Sequence, residues 1–134
     1  MQEFLVPYTA AFAGLLALAA LMVIQFAVAD IAGIRAKQVP GMPVSGGHDS
    51  FLFRATRAHA NTIENIGLQL LLAFTCVLIG ANPGWTIIWI WLFVAARAAH
   101  MAFYYADWRN PRSAAFTVGA VAQIGLLVTG FLAL

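Results

Sequence analysis

Four apolar runs constrain what this chain can become. They cover residues 7–34, 51–80, 85–107 and 113–134. Each reaches the roughly 20 residues that a helix needs to cross a bilayer. Of all residues, 63% are hydrophobic and 9% charged, whereas a soluble domain carries about 25% charged residues. There is too little polar surface to coat a ball in water, so most of the exterior must meet lipid. A backbone in lipid has to satisfy its own hydrogen bonds, and runs of this length do so as helices. The expected fold is all-α: one domain over residues 1–134, an integral membrane four-helix bundle of up-down topology.

The connections differ in character. Residues 35–50 contain Pro40, Gly41, Pro43, Gly46 and Gly47 and read as an irregular, mobile loop. Ala81, Asn82, Pro83 and Gly84 form a tight turn, so the second and third helices make an antiparallel hairpin. Residues 108–112 are short and basic, and Ser113 is the expected cap of the fourth helix. Ala27, Val28 and Ala29 resemble a signal-peptidase site, but Glu3 rather than a basic residue precedes the apolar run, which is too long for a signal segment. It reads as a retained first membrane helix.

Arg35, Lys37, Arg54, Arg57, Arg109 and Arg112 all belong to one membrane side. The positive-inside rule puts the first and third loops in the cytoplasm and both termini on the opposite side. A bacterial inner membrane fits the short loops, with an endoplasmic reticulum membrane as the alternative. The net charge of +2 is small and the basic residues form no solvated stripe, which argues against nucleic acid as a partner. Cys76 is the single cysteine. It excludes a disulfide framework, and its apolar surroundings make it an inert thiol.

The polar residues gather at one end. On the second helix Arg54, Arg57, Asn61 and Glu64 fall within one arc of roughly 80°, at about 100° per residue. His59 lies on the opposite side. On the third helix Arg97, His100 and Tyr104 share a face at spacings i, i+3 and i+7. Such faces cannot look at lipid; they must meet other helices or a wet cavity. Arg97 lies about 18 Å down its helix, near the midplane, and Glu64 lies at a similar depth. A Glu64–Arg97 pair is the simplest compensation. His48, Asp49 and Asp30 read as solvated or interfacial.

Arginines in a partly dry cleft are anion clamps, because the guanidinium fork matches carboxylates bidentately. Asn61 and Glu64 add groups suited to an amide or ammonium. The ligand is therefore expected to be small, anionic and zwitterionic at one end, with a lipophile as its partner from the bilayer. A cation beside a thiol also favours the thiolate. Cys76 is badly placed for that, so the reactive thiol would belong to the ligand. No metal-ligand spacing, Gly-rich phosphate loop or nucleophile–base set stands out.

The stretch Arg57-Ala-His59-Ala-Asn61-Thr-Ile-Glu64 resembles the signature of the MAPEG family, the membrane-associated proteins in eicosanoid and glutathione metabolism. Arg97-Ala-Ala-His100-Met-Ala-Phe-Tyr104 resembles the family's third-helix motif, and Arg112-Ser113-Ala-Ala-Phe116-Thr117 the opening of its fourth helix. The pattern is closest to the microsomal glutathione transferases and microsomal prostaglandin E synthase. The resemblance implies a homotrimer with glutathione bound between subunits toward the cytoplasm. It assigns Arg57, Asn61 and Glu64 to the peptide, with Arg54 beside them, and Arg97, His100 and Tyr104 to the same pocket. Arg112 would stabilise the glutathione thiolate, with Ser113 nearby.

Three positions depart from the prostaglandin synthase pattern. Ala60 replaces an arginine, Phe116 a tyrosine and Leu68 a proline. They argue against prostaglandin synthesis while leaving the thiolate arginine in place. The expectation is a glutathione transferase, with glutathione peroxidase chemistry as a variant, acting on lipophilic electrophiles or hydroperoxides in detoxification. The main rival is a non-catalytic lipid-binding or scaffold protein of the same fold. A proton or solute transporter is disfavoured because the polar groups stop halfway across the chain's span.

Overall fold

The computed structural model describes residues 2–134. Four long helices make up the chain: α1 (Thr9–Arg35), α2 (Phe51–Leu78), α3 (Pro83–Tyr105) and α4 (Arg109–Phe131). A helical turn, Gln2–Leu5, and a 3₁₀ turn, Val6–Tyr8, lead into α1. Among the described residues these four helices are the ones long and apolar enough to cross a membrane, and no strand occurs. The protein is an all-helical, four-span membrane protein.

The helix ends follow local chemistry. Ser50 caps α2, its hydroxyl accepting from the Phe53 amide at 3.4 Å. Asn82 caps α3 by accepting from the Trp85 amide at 3.1 Å, and Pro83 occupies the first helical position, where a missing N–H costs nothing. α3 therefore begins two residues before the expected 85. The larger correction is at α4, which starts at Arg109, not at residue 113, and has no side-chain cap. Pro111 sits in its first turn, where amides have no intrahelical partner anyway. Ser113 is thus inside the helix, and its hydroxyl donates back to the Arg109 carbonyl at 3.2 Å.

The bundle is tightest between α3 and α4. Gly125 explains the approach: a Cβ there would run into the Trp89 indole. At the end carrying the termini, Tyr8, Ala11, Ala73, Cys76, Val77, Ile90 and Leu126 form one buried cluster. The Tyr8 hydroxyl donates to the Ala81 carbonyl and pins the chain start to the α2–α3 turn. Cys76 is buried there, its thiol donating to the Leu126 carbonyl at 3.3 Å. Midway, Leu18, Phe93, Val94 and Ala122 make a second cluster. Large apolar side chains on the outside, such as Leu16 and Leu78, face where lipid would lie.

Candidate active site at the loop end of the bundle

The polar groups sit in two layers. The shallow layer surrounds the junction of the α1–α2 loop with α3 and α4. Arg54, in the first turn of α2, donates to the His48 carbonyl and, at 3.5 Å, to the Tyr105 carbonyl. Its guanidinium also lies 5.7 Å from the Phe51 ring. Arg54 therefore ties the end of the loop to the end of α3. Arg112, in the first turns of α4, lies over the Tyr104 ring, 4.4 Å from its centroid. An Arg Nη1 to His48 Nδ1 distance of 3.3 Å adds a second contact to Arg112.

His48 holds the centre of this layer. Its ring stacks on Tyr104 at 6.2 Å with 22° between planes, and meets Phe53 edge-on at 5.3 Å. Its Nδ1 lies 3.8 Å from Asp107 Oδ1. Asp107 follows α3 in the left-handed conformation, at φ 56°, which Asp and Asn tolerate better than most residues. His48, read from the sequence as solvated or interfacial, is partly buried among site residues.

The deep layer is built on Arg97, which is only 1% exposed. Its Nη1 donates to Asn61 Oδ1 at 2.7 Å. The guanidinium lies between the Phe93 and Phe116 rings, at 5.6 and 5.5 Å. Gly119 passes close on the α4 side, where a Cβ would stand 3.5 Å from Nη2. The expected Glu64–Arg97 pair does not form: among the described residues Arg97 has no carboxylate within ion-pair distance. A neutral amide and two aromatic faces hold the charge instead. His100 is buried beside it, edge-on to Tyr104 at 5.0 Å and 6.3 Å from Phe116. Tyr104 thus links the two layers.

Arg57 and Glu64 belong to neither layer. They pair with each other at 3.8 Å on an exposed face of α2, with side chains 44% and 55% exposed. Leu68 continues that face and is also exposed. Ser113 is exposed on α4. His59 is separate, as its position on the helix predicts, with its ring 6.2 Å from Phe26 of α1.

The chain alone therefore brings together Arg54, Tyr104 and Arg112, and separately Asn61, Arg97 and His100. It leaves Arg57, Glu64 and Ser113 on the surface. Sequence reasoning missed His48 and Asp107. The only signal was their position, each a few residues from an arginine at a helix start.

Chemically, the shallow layer offers two guanidiniums, an imidazole and a carboxylate. The model of the MAPEG family matches residues 5–132, nearly the whole chain. No curated protein matches the sequence.

Proposed function

The chain belongs to the MAPEG family, and on that premise we propose that it is a membrane-bound glutathione transferase or glutathione peroxidase acting on lipophilic electrophiles or hydroperoxides. The observation that carries this reading is the state of Arg112. Its guanidinium is oriented by the Tyr104 ring and His48. Among the described residues it has no carboxylate partner. A positioned cation with its charge unspent is what an incoming thiolate needs. Arg54 donates to the His48 carbonyl and adds positive charge for a carboxylate of the peptide. The rate gain would come from holding the thiolate and aligning the lipophile, with no covalent enzyme intermediate.

The exposed Arg57–Glu64 pair supports the homotrimer. Counting from Phe51 at about 1.5 Å per residue, Arg57 lies about 9 Å and Glu64 about 20 Å along α2. A charge facing hydrocarbon near the middle of a span, as Glu64 would, costs roughly 2.5–3.5 kcal/mol on insertion scales. A second copy covering this face removes that cost and brings Arg57 and Glu64 into a site shared between subunits. The distribution of arginines supports loops one and three in the cytoplasm and both termini outside, and the short loops fit a bacterial inner membrane.

The rival reading, a lipid-binding scaffold, draws on one observation. Arg97 and Asn61 are spent on each other in the packed interior, so part of the motif serves assembly. The two readings separate on turnover. Detergent-purified protein is assayed for glutathione conjugation to a small chloronitrobenzene, wild type against Arg112→Ala. Turnover in wild type that drops by about 100-fold or more in the variant supports the enzyme. Absence of turnover together with no glutathione binding at millimolar concentration leaves the scaffold.

A further inference from the structure

We propose that His48, backed by Asp107, is the group that takes the proton from the thiol bound at Arg112. This rests on the glutathione reading of that site and adds the acceptor that it lacks.

Arg112 has only donors, so the Nδ1 atom 3.3 Å from its Nη1 must be the acceptor in that contact. That hydrogen bond needs the tautomer with the proton on Nε2 and the Nδ1 lone pair toward Arg112. The same Nδ1 lies 3.8 Å from Asp107 Oδ1. That carboxylate oxygen is buried and has no hydrogen-bond donor among the described residues. A buried acceptor without a donor is a costly arrangement. A proton on Nδ1 gives it a counter-charge 3.8 Å away.

One ring nitrogen therefore faces two partners that want opposite protonation states. Neutral Nδ1 accepts from Arg112. Protonated Nδ1 is repelled by Arg112 and attracted by Asp107. In the proposed step the S–H bond breaks, the electron pair stays on sulfur, and the proton bonds to Nδ1. The imidazolium pairs with Asp107, and Arg112 Nη1 is released to the thiolate. The sulfur then attacks the electrophile, whose leaving group departs with its electron pair. The proton goes from His48 to that leaving group or to water.

The surroundings fix the imidazole for this exchange. Every element packed on it contributes: Arg54 of α2 holds its backbone carbonyl, Phe53 of α2 bounds one edge, and Tyr104 of α3 stacks on its face. Arg112 of α4 and Asp107 of the α3–α4 turn face its nitrogen. Among the described residues, Arg54, Arg112, Asp107 and Tyr104 are the charged or titratable groups that contact it, Asp49 is next to it in the loop, and Tyr105 and His100 lie one contact further out.

The experiment follows the ultraviolet absorbance of the thiolate after rapid mixing of detergent-purified protein with glutathione, without electrophile. Wild type, His48→Ala and Asp107→Asn are compared, and glutathione affinity is measured for each by equilibrium dialysis. Asn tolerates the left-handed conformation at 107, so the second variant removes charge without strain. The expected result is a slower rise, by about 100-fold in His48→Ala, to an amplitude close to wild type. Asp107→Asn slows the rise to a smaller degree, and free imidazole restores speed to His48→Ala. Unchanged rates in both variants overturn the proposal. So does a lost amplitude, or a slow rise that imidazole does not relieve, because His48 would then only prop Arg112. A wild type that binds glutathione but forms no thiolate overturns the thiolate role of Arg112, and this proposal with it.

Discussion

At the end of the bundle that carries the termini, Ala11, Ala73, Cys76 and Leu126 are wholly buried, and Gly125 lets the Trp89 indole lie against α4. At the loop end three of these helices, α2, α3 and α4, hold Arg54, Arg97, His100 and Arg112. The loop end is itself divided. Arg97 is enclosed by Asn61, Phe93 and Phe116, while Arg112 rests on one ring and one histidine and stays half-buried. Two arginines on neighbouring helices thus have different fates. A guanidinium closed into the packed interior against an amide and two rings serves the fold, although its Nε has no partner; one that stays partly open to the outside can hold a ligand.

Substitutions should separate these roles. The largest effect on activity is expected at the open arginine: Arg112→Ala should lower conjugation by about 100-fold or more and shift thermal unfolding little. Next comes the enclosed arginine. Arg97→Ala empties the space between two rings and strands the Asn61 carbonyl, which should cost roughly 3 kcal/mol of stability. Thermal unfolding in detergent checks this, and a stable Arg97→Ala protein would erase the contrast. Gly125→Ala forces a methyl into the Trp89 ring, at a cost of about 1–3 kcal/mol, with the activity per folded molecule unchanged. The smallest effect is expected at the surface pair. Glu64→Gln leaves the protomer intact, because an exposed ion pair contributes about 0–1 kcal/mol within it. It should instead weaken association, read as a lower mass by light scattering of the detergent-solubilised protein.

The membrane helices were legible in the sequence because apolar length alone decides that a segment spans. Their ends were less so. Ser113 looks like a cap, yet Trp108 precedes the helix and no side chain marks its start. The Glu64–Arg97 pairing failed for a related reason. Rise per residue places both at one depth, but depth leaves the direction around the axis open, and Asn61, one turn earlier, is the residue that meets Arg97. The shared faces of Arg97, His100 and Tyr104 were readable from helical period. His48 was not, since a loop has no period and its return onto Tyr104 depends on tertiary contacts from three helices.

The central claim is that the charge on Arg112 is held free for a thiolate while that on Arg97 is spent on the fold. Its most direct test is the amplitude of the thiolate absorbance at saturating glutathione, in wild type and Arg112→Ala, on samples shown to be folded. The account predicts a clear band in wild type and its loss in the variant, with glutathione still bound. Bands of equal size would contradict it, because the thiolate would then be held by some group other than Arg112.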